Sequence, residues 1–479
     1  MHAKKIDYLF EEIITMIRRW SQPNGYRQVL NISLPLVASM GTLTLMQFTD
    51  RIFLANHSIN AISAALPAGL ASFTFISFFM AVANYTNAFV AQYTGARAFS
   101  RVGLAVWQGI YFALISAVLL SLFFFIAEPL FDVIGHAPAI RSLEIVYFKI
   151  LILGSGLVVV GSALACFYTG RGLTWTIMFV HLGGAVVNIP LDYCLINGVG
   201  PFPQLGIVGA GIATVTAYMI IVIILCLLFL SPFNRRRFST WQNRRFDPDL
   251  FRRLMVYGFP SGVQLFLEIF GFTFFIQMTG RIGNFELATS NIVFTIQSLV
   301  FIPMVGFHIG NSTLVGQAIG RGVPADGEYA TTSVLHLAMI YMGLLVLSFL
   351  LFPHPLLNLF QSDFNGSGQP TEVLILGTNL LRFVCIYCFF DALNLVYSGA
   401  IKGAGDTRFC MWMVAALLVG VMILPVFIAV EVFHVGIYAA WVLATFFACS
   451  LGITFFLRYR SGKWKTMQVI ESHSARKNT

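Results

Sequence analysis

The sequence predicts an all-α integral membrane protein of twelve transmembrane helices, arranged as two parallel six-helix repeats. Three observations predict it. Charged residues make up 10% of the 479, against about 25% in soluble domains, while hydrophobic residues reach 58% and mean hydropathy is +0.81. Apolar stretches of crossing length fall into two sets of six, divided by one charged linker. Motifs recur between the two sets at a near-constant offset. A soluble fold needs a charged shell that this chain cannot build. An ordinary cytosolic enzyme, a secreted disulfide scaffold and a disordered chain are therefore excluded.

Residues 6–20 (IDYLFEEIITMIRRW) carry apolar side chains at helical spacing and read as an interfacial helix on the inner leaflet. No signal peptide is expected ahead of the first span. Apolar runs then cover 29–54, 62–94, 102–127, 138–168, 173–196 and 205–231. The segment PFNRRRFSTWQNRRFDPDL follows, and six more runs cover 251–280, 286–319, 327–353, 372–400, 407–431 and 435–457. The domain reading is an N-terminal cytoplasmic or interfacial segment 1–27, a first lobe 28–231, a basic linker 232–250, a second lobe 251–458 and a tail 459–479. A closed barrel would show short alternating strands instead of these long runs.

Net charge is +9. Among the 29 Lys and Arg, only Arg51, Arg141, Lys149, Arg281 and Arg382 lie outside the termini, the linker and the loops after even-numbered spans. That bias places both termini in the cytoplasm. The charge is thus topological, and no basic stripe or module supports nucleic-acid binding.

Pro35 recurs as Pro260, and Gln92 and Gly95 recur as Gln317 and Gly320, each 225 residues on. The GRG at Gly170–Gly172 recurs as the GAG at Gly403–Gly405, 233 residues on. Six helices per repeat is an even number, so both repeats enter from the same side. Substrate is then expected between them near the bilayer midplane, which suits alternating access better than a fixed pore.

A charge held in lipid is costly, so ionisable residues inside spans are functional candidates. Asp50, Glu268 and Asp391 lie well inside the first, seventh and tenth spans. Gln264 and Glu268 are one turn apart, as are Tyr387 and Asp391, and Asn394 is three residues beyond Asp391. Asn188 and Asp192 share a face of the fifth span. Each set puts a carboxylate beside another oxygen ligand, which can hold a proton or, where several oxygens converge, Na⁺. The structural alternative is a protonated acid acting as interhelical glue. Glu128, Asp132, Glu144, Asp363, Glu372 and Glu431 read as span-end or loop acids.

His181 and His308 read as satisfied packing residues, and Cys385 and Cys388 as small core residues and not a metal site. Gly306/Gly310 and Gly316/Gly320 have the spacing of close helix contacts. Asp406 in GAGD lacks the Tyr-Asp partner of an intramembrane protease. No metal cluster and no cofactor is expected.

The stretch NIPLDYCLINGVGPFPQLGIVGAGIAT at 188–214, the junction YSGAIKGAGDTR at 397–408 and MQFTDRIFLAN in the first span together resemble the multidrug and toxic compound extrusion (MATE) family. The resemblance runs from about residue 25 to 460, and Glu268 with Tyr387 and Asp391 is similar to its NorM-like branch. It implies a V-shaped pair of six-helix lobes and a cation-coupled antiporter that expels amphipathic, often cationic, drugs or metabolites. Carried over by position, Asp50, Asn188, Asp192 and Thr214 match the first lobe's cation site. Glu268, Tyr387 and Asp391 match the second lobe's site, with Gln264 and Asn394 as polar support. The implied partners are small-molecule drugs and membrane lipid, in a monomer of the bacterial inner membrane, with H⁺ or Na⁺ as coupling ion. Arg51 departs from the family, which usually has a small or uncharged residue there. Adjacent helical side chains diverge by about 100°, so Arg51 either faces away from Asp50 or pairs with it.

Two other readings compete. A lipid-linked precursor flippase of the same superfamily expects a basic cluster in a central cleft, and the intramembrane Arg and Lys here are scattered. An integral-membrane enzyme expects HExxH, a paired aspartyl motif or a metal cluster, none of which the sequence contains.

Overall fold

The computed structural model describes residues 18–358 and 370–471. All but the last three residues of the expected interfacial helix 6–20 lie outside that range, as does Asp363. The spans are α1 (Tyr26–His57), α2 (Ile59–Gly95), α3 (Phe99–Ile134), α4 (Pro138–Thr169), α5 (Thr174–Asn197), α6 (Ile207–Phe229), α7 (Pro248–Ile282), α8 (Asn284–Arg321), α9 (Pro324–Leu351), α10 (Pro370–Ala404), α11 (Thr407–Val432) and α12 (Ile437–Arg460). Eleven are long and apolar enough to cross a membrane, and α8 makes the twelfth as a bent pair. The all-helical membrane architecture is as the sequence predicts.

Several spans are interrupted where the apolar pattern runs on. α2 breaks at Tyr85, and α3 passes through a 3₁₀ turn at Phe123–Ile126. α8 bends by 43° between Ser298 and Phe301. Pro303 lies just beyond that bend, and a proline ring displaces the carbonyl four residues upstream. α11 contains two π-helical stretches, Leu418–Ile423 and Ile428–Val432, around Pro425. Such wide turns re-satisfy backbone groups that a proline frees.

The chain divides into two compact units. The first is the described part of Met1–Val37 with Leu267–Gln468, and the second is Ala38–Phe266 with the described part of Val469–Thr479. α1 and α7 are therefore each shared between units.

Within the second unit, α4 and α6 meet at Gly154, whose missing side chain accommodates Val215, and α5 meets α6 at Gly184 against Ile221. Phe75, Phe131 and Phe148 interlock in edge-on contacts there. Within the first unit, Gly306 and Gly310 of α8 pack onto Ser33 and Val37 of α1, so this GxxxG pair does serve close packing. Gly399 and Gly403 of α10 lie against the backbone of His308 and Ser312. Outward-facing side chains such as Leu227, Trp412 and Phe446 stay more than 60% exposed, as lipid-facing residues do without a bilayer.

Candidate functional site

In the second unit, three spans bring four predicted residues together. α1 supplies Asp50, α5 supplies Asn188 and Asp192 one turn apart, and α6 supplies Thr214. Asp50 is 7% exposed, and Asn188 and Asp192 are fully buried. Thr214 Oγ1 donates to Asp50 Oδ2 at 3.3 Å. The Asp50 and Asp192 carboxyl groups face each other closely enough to share one hydrogen bond when either holds a proton, and the Asn188 amide lies beside Asp192. As ionised groups neither acid can donate. Asp50 Oδ1, both Asp192 oxygens and both Asn188 amide atoms are buried without a well-formed hydrogen bond.

Buried polar atoms left so are costly, and a pair of adjacent acids is costlier still. A proton or a small cation between them relieves both costs. Arg51 is exposed and makes no ion pair with Asp50 among the described residues, although its charge is still felt there. It faces away, the first of the two arrangements that the sequence left open.

Two residues near this site were not singled out in the sequence. Tyr147 of α4 is close enough to feel both acids, and Tyr218 of α6 feels Asp50. A tyrosine inside an apolar run carries no spacing signal of its own, so nothing in the sequence marked them.

In the first unit, α10 places Tyr387 and Asp391 one turn apart, with Tyr387 buried and Asp391 and Asn394 half-buried. Glu268 of α7, also half-buried, is near enough for Asp391 to feel its charge, and Tyr387 feels Asp391 in turn. Gln264 is buried, and the division of the chain falls between it and Glu268.

Several other polar residues inside the spans have partners. Ser39 and His181 lie 2.5 Å apart, and His308 Nδ1 donates to the Leu395 carbonyl at 2.8 Å. Asp406 pairs with Arg458 at 2.7 Å. Cys385 and Cys388 are buried free thiols. Glu144, read from sequence as a span-end acid, is fully buried, with one oxygen 2.7 Å from His136 Nδ1. Among the described residues, no three His, Cys, Asp or Glu side chains cluster as a metal site.

The MatE family model matches residues 35–194 and 260–428. The two matches begin at Pro35 and Pro260, the repeat-related prolines. A probable multidrug resistance protein NorM from Thermotoga maritima is 24% identical over 461 residues, covering 94% of this chain and 95% of that protein. The multidrug resistance protein PmpM of Pseudomonas aeruginosa is 25% identical, covering 81% of this chain and 80% of that one. Among solved structures, an outward-facing multidrug resistance MATE transporter of the MOP superfamily superposes with a TM-score of 0.84 at 18% identity, over 93% of this chain and 98% of that chain. A MOP superfamily transporter from Pyrococcus furiosus gives the same score, identity and coverage. These likenesses show the fold, and the family match covers well over half of the sequence. The chain belongs to the MATE family and is a membrane transporter, not an enzyme.

Proposed function

We propose that this transporter is a secondary antiporter that expels amphipathic, often cationic, drugs or metabolites in exchange for H⁺ or Na⁺. Its relatives carry multidrug resistance names, which supports the cargo class. The observation that carries the exchange is the Asp50–Asp192 pair, buried beside Asn188 and Thr214 with five polar atoms lacking well-formed hydrogen bonds. In this reading a cation enters down its gradient, neutralises the pair and repositions α1, α5 and α6. To drive export, the cation must change the relative stability of the two facing states. Glu268, Tyr387 and Asp391 form a second acidic group in the same scheme, supported by Asn394 and by Gln264 one turn before Glu268. The protein acts as a monomer in the bacterial inner membrane, with both termini cytoplasmic.

Dye efflux from proteoliposomes, with Na⁺ and pH gradients imposed separately, tests this. Wild-type flux is expected to follow one of the two gradients. Asp50→Asn and Asp192→Asn are each expected to lower gradient-driven efflux by about tenfold or more, with insertion intact. Wild-type efflux by both variants, or wild-type flux that ignores both gradients, would overturn the proposal.

A further inference from the structure

The linker between α6 and α7 is more than a charged tether. It joins the end of α6 at Phe229 to the start of α7 at Pro248, on the side of the membrane where those two spans meet water. It begins with a short helix, Pro232–Phe238. Its backbone is strapped to α3. Trp107 Nε1 donates to the Thr240 carbonyl at 2.6 Å, and Gln108 Nε2 donates to the Arg245 carbonyl at 3.1 Å. Asn243 Nδ2 returns a bond to the Ser100 carbonyl at 2.7 Å, and the Tyr111 hydroxyl donates to the Arg244 carbonyl. Gly103 has no side chain because the Phe238 carbonyl occupies that space.

This fixed backbone displays cations and aromatic rings together. Arg235, Arg236, Arg237, Arg244 and Arg245 are all exposed. Beside them Phe233 is 60% exposed, Phe246 51% and Trp241 43%. Arg235 and Arg244 both lie over the Trp241 ring, at 5.3 and 4.4 Å. None of the five arginines has a carboxylate within ion-pair distance among the described residues. The nearby Asp247 instead faces Arg101 at 3.6 Å. Behind this surface, Arg171 lies 4.0 Å over Phe238, with its Nη1 buried and lacking a hydrogen-bond partner.

Five like charges on a rigid scaffold repel one another and call for an anion. Guanidinium groups suit phosphate, which they grip through two parallel hydrogen bonds. The exposed rings decide the source of that phosphate. Tryptophan and phenylalanine beside arginine favour the water–lipid boundary, where a soluble anion gains nothing from them.

We propose that this linker binds the headgroups of acidic phospholipids, with Arg235 and Arg244 holding the phosphate and Trp241 between them seated at the acyl boundary. The charge bias of the chain makes this the cytoplasmic leaflet. The proposal stands apart from the exchange chemistry above.

The test titrates labelled phosphatidylglycerol into the detergent-purified full-length protein, with labelled phosphatidylcholine as the neutral comparison. Wild type is expected to prefer phosphatidylglycerol, and that preference is expected to weaken as salt is added. Arg235→Gln/Arg244→Gln is expected to lower phosphatidylglycerol affinity by about 25-fold, since each charge near an anionic surface contributes about fivefold. Its phosphatidylcholine affinity and melting midpoint stay unchanged. Arg235→Lys/Arg244→Lys keeps the charge and retains most of the preference. Equal phosphatidylglycerol affinity in wild type and the Gln variant overturns the proposal, as does a wild-type preference that is insensitive to salt. Complete displacement of phosphatidylglycerol by an equal concentration of glycerol phosphate overturns the assignment to lipid.

Discussion

Asp406 receives Nε and Nη2 of Arg458, both at 2.7 Å, while the guanidinium lies 4.4 Å over Phe409. The acid is only 7% exposed, so removing its partner strands a buried charge. Arg458→Ala is expected to cost about 3–5 kcal/mol of stability, read as a lowered melting midpoint in detergent. Glu471 offers a pH readout. Burial opposes its charge, but its own backbone N–H, Arg253 at 2.6 Å and the Tyr93 hydroxyl at 2.9 Å outweigh burial and hold its carboxyl below the usual range. A depressed acid stabilises above its ordinary pKa, and that stabilisation is lost as pH falls through the lowered value. Limited proteolysis after residue 468 is therefore expected to accelerate on acidification in wild type. Glu471→Gln is expected to be cut readily at neutral pH with little further change. At this scale the sequence was partly legible. The one-turn spacing of Asn188 and Asp192 was visible, as was the oddity of Asp50 in lipid. That these meet Tyr147 and Tyr218 depends on how α1, α4, α5 and α6 pack, which local spacing does not encode. Glu144 lies near a span end, as its position implies, but its enclosure beside His136 depends on packing that position alone does not encode.

The helices themselves were the most legible level, because twenty-residue apolar runs have few alternatives in lipid. Their interruptions were not. The run from 102 to 127 stays apolar through the 3₁₀ turn at Phe123–Ile126, and nothing in α11 except Pro425 announces its π-helical stretches. Small residues gave more away. A Cβ on Gly403 would overlap the Ser312 carbonyl, whereas one on Gly420 would meet nothing within 4 Å. Gly403→Ala is thus expected to destabilise by about 1–3 kcal/mol through overpacking of α8 on α10. Gly420→Ala, on the open side of α11, is expected to leave the melting midpoint nearly unmoved. Equal midpoints for the two variants would show that α8 and α10 do not need this close approach.

At the level of the whole chain, the charge bias and the repeat offset were both readable from residues alone, and the family match falls on the two repeats separately. What sequence did not reveal is that the compact units trade ends, with α1 and α7 each divided and Val469–Glu471 grouped with Ala38–Phe266. Orientation is open to a direct check. A green fluorescent protein fused after Thr479 is expected to fluoresce and an alkaline phosphatase fusion to be inactive, as a cytoplasmic terminus requires. The 225-residue offset has one more implication. The position matching Asp50 in the later half is Phe275, packed in a hydrophobic core, and the position matching Glu268 in the earlier half is Leu43. The two halves thus share a framework but carry these acids at positions that do not correspond. Asp50 or Glu268 can therefore be substituted without disturbing an acid at the matching position of the other half.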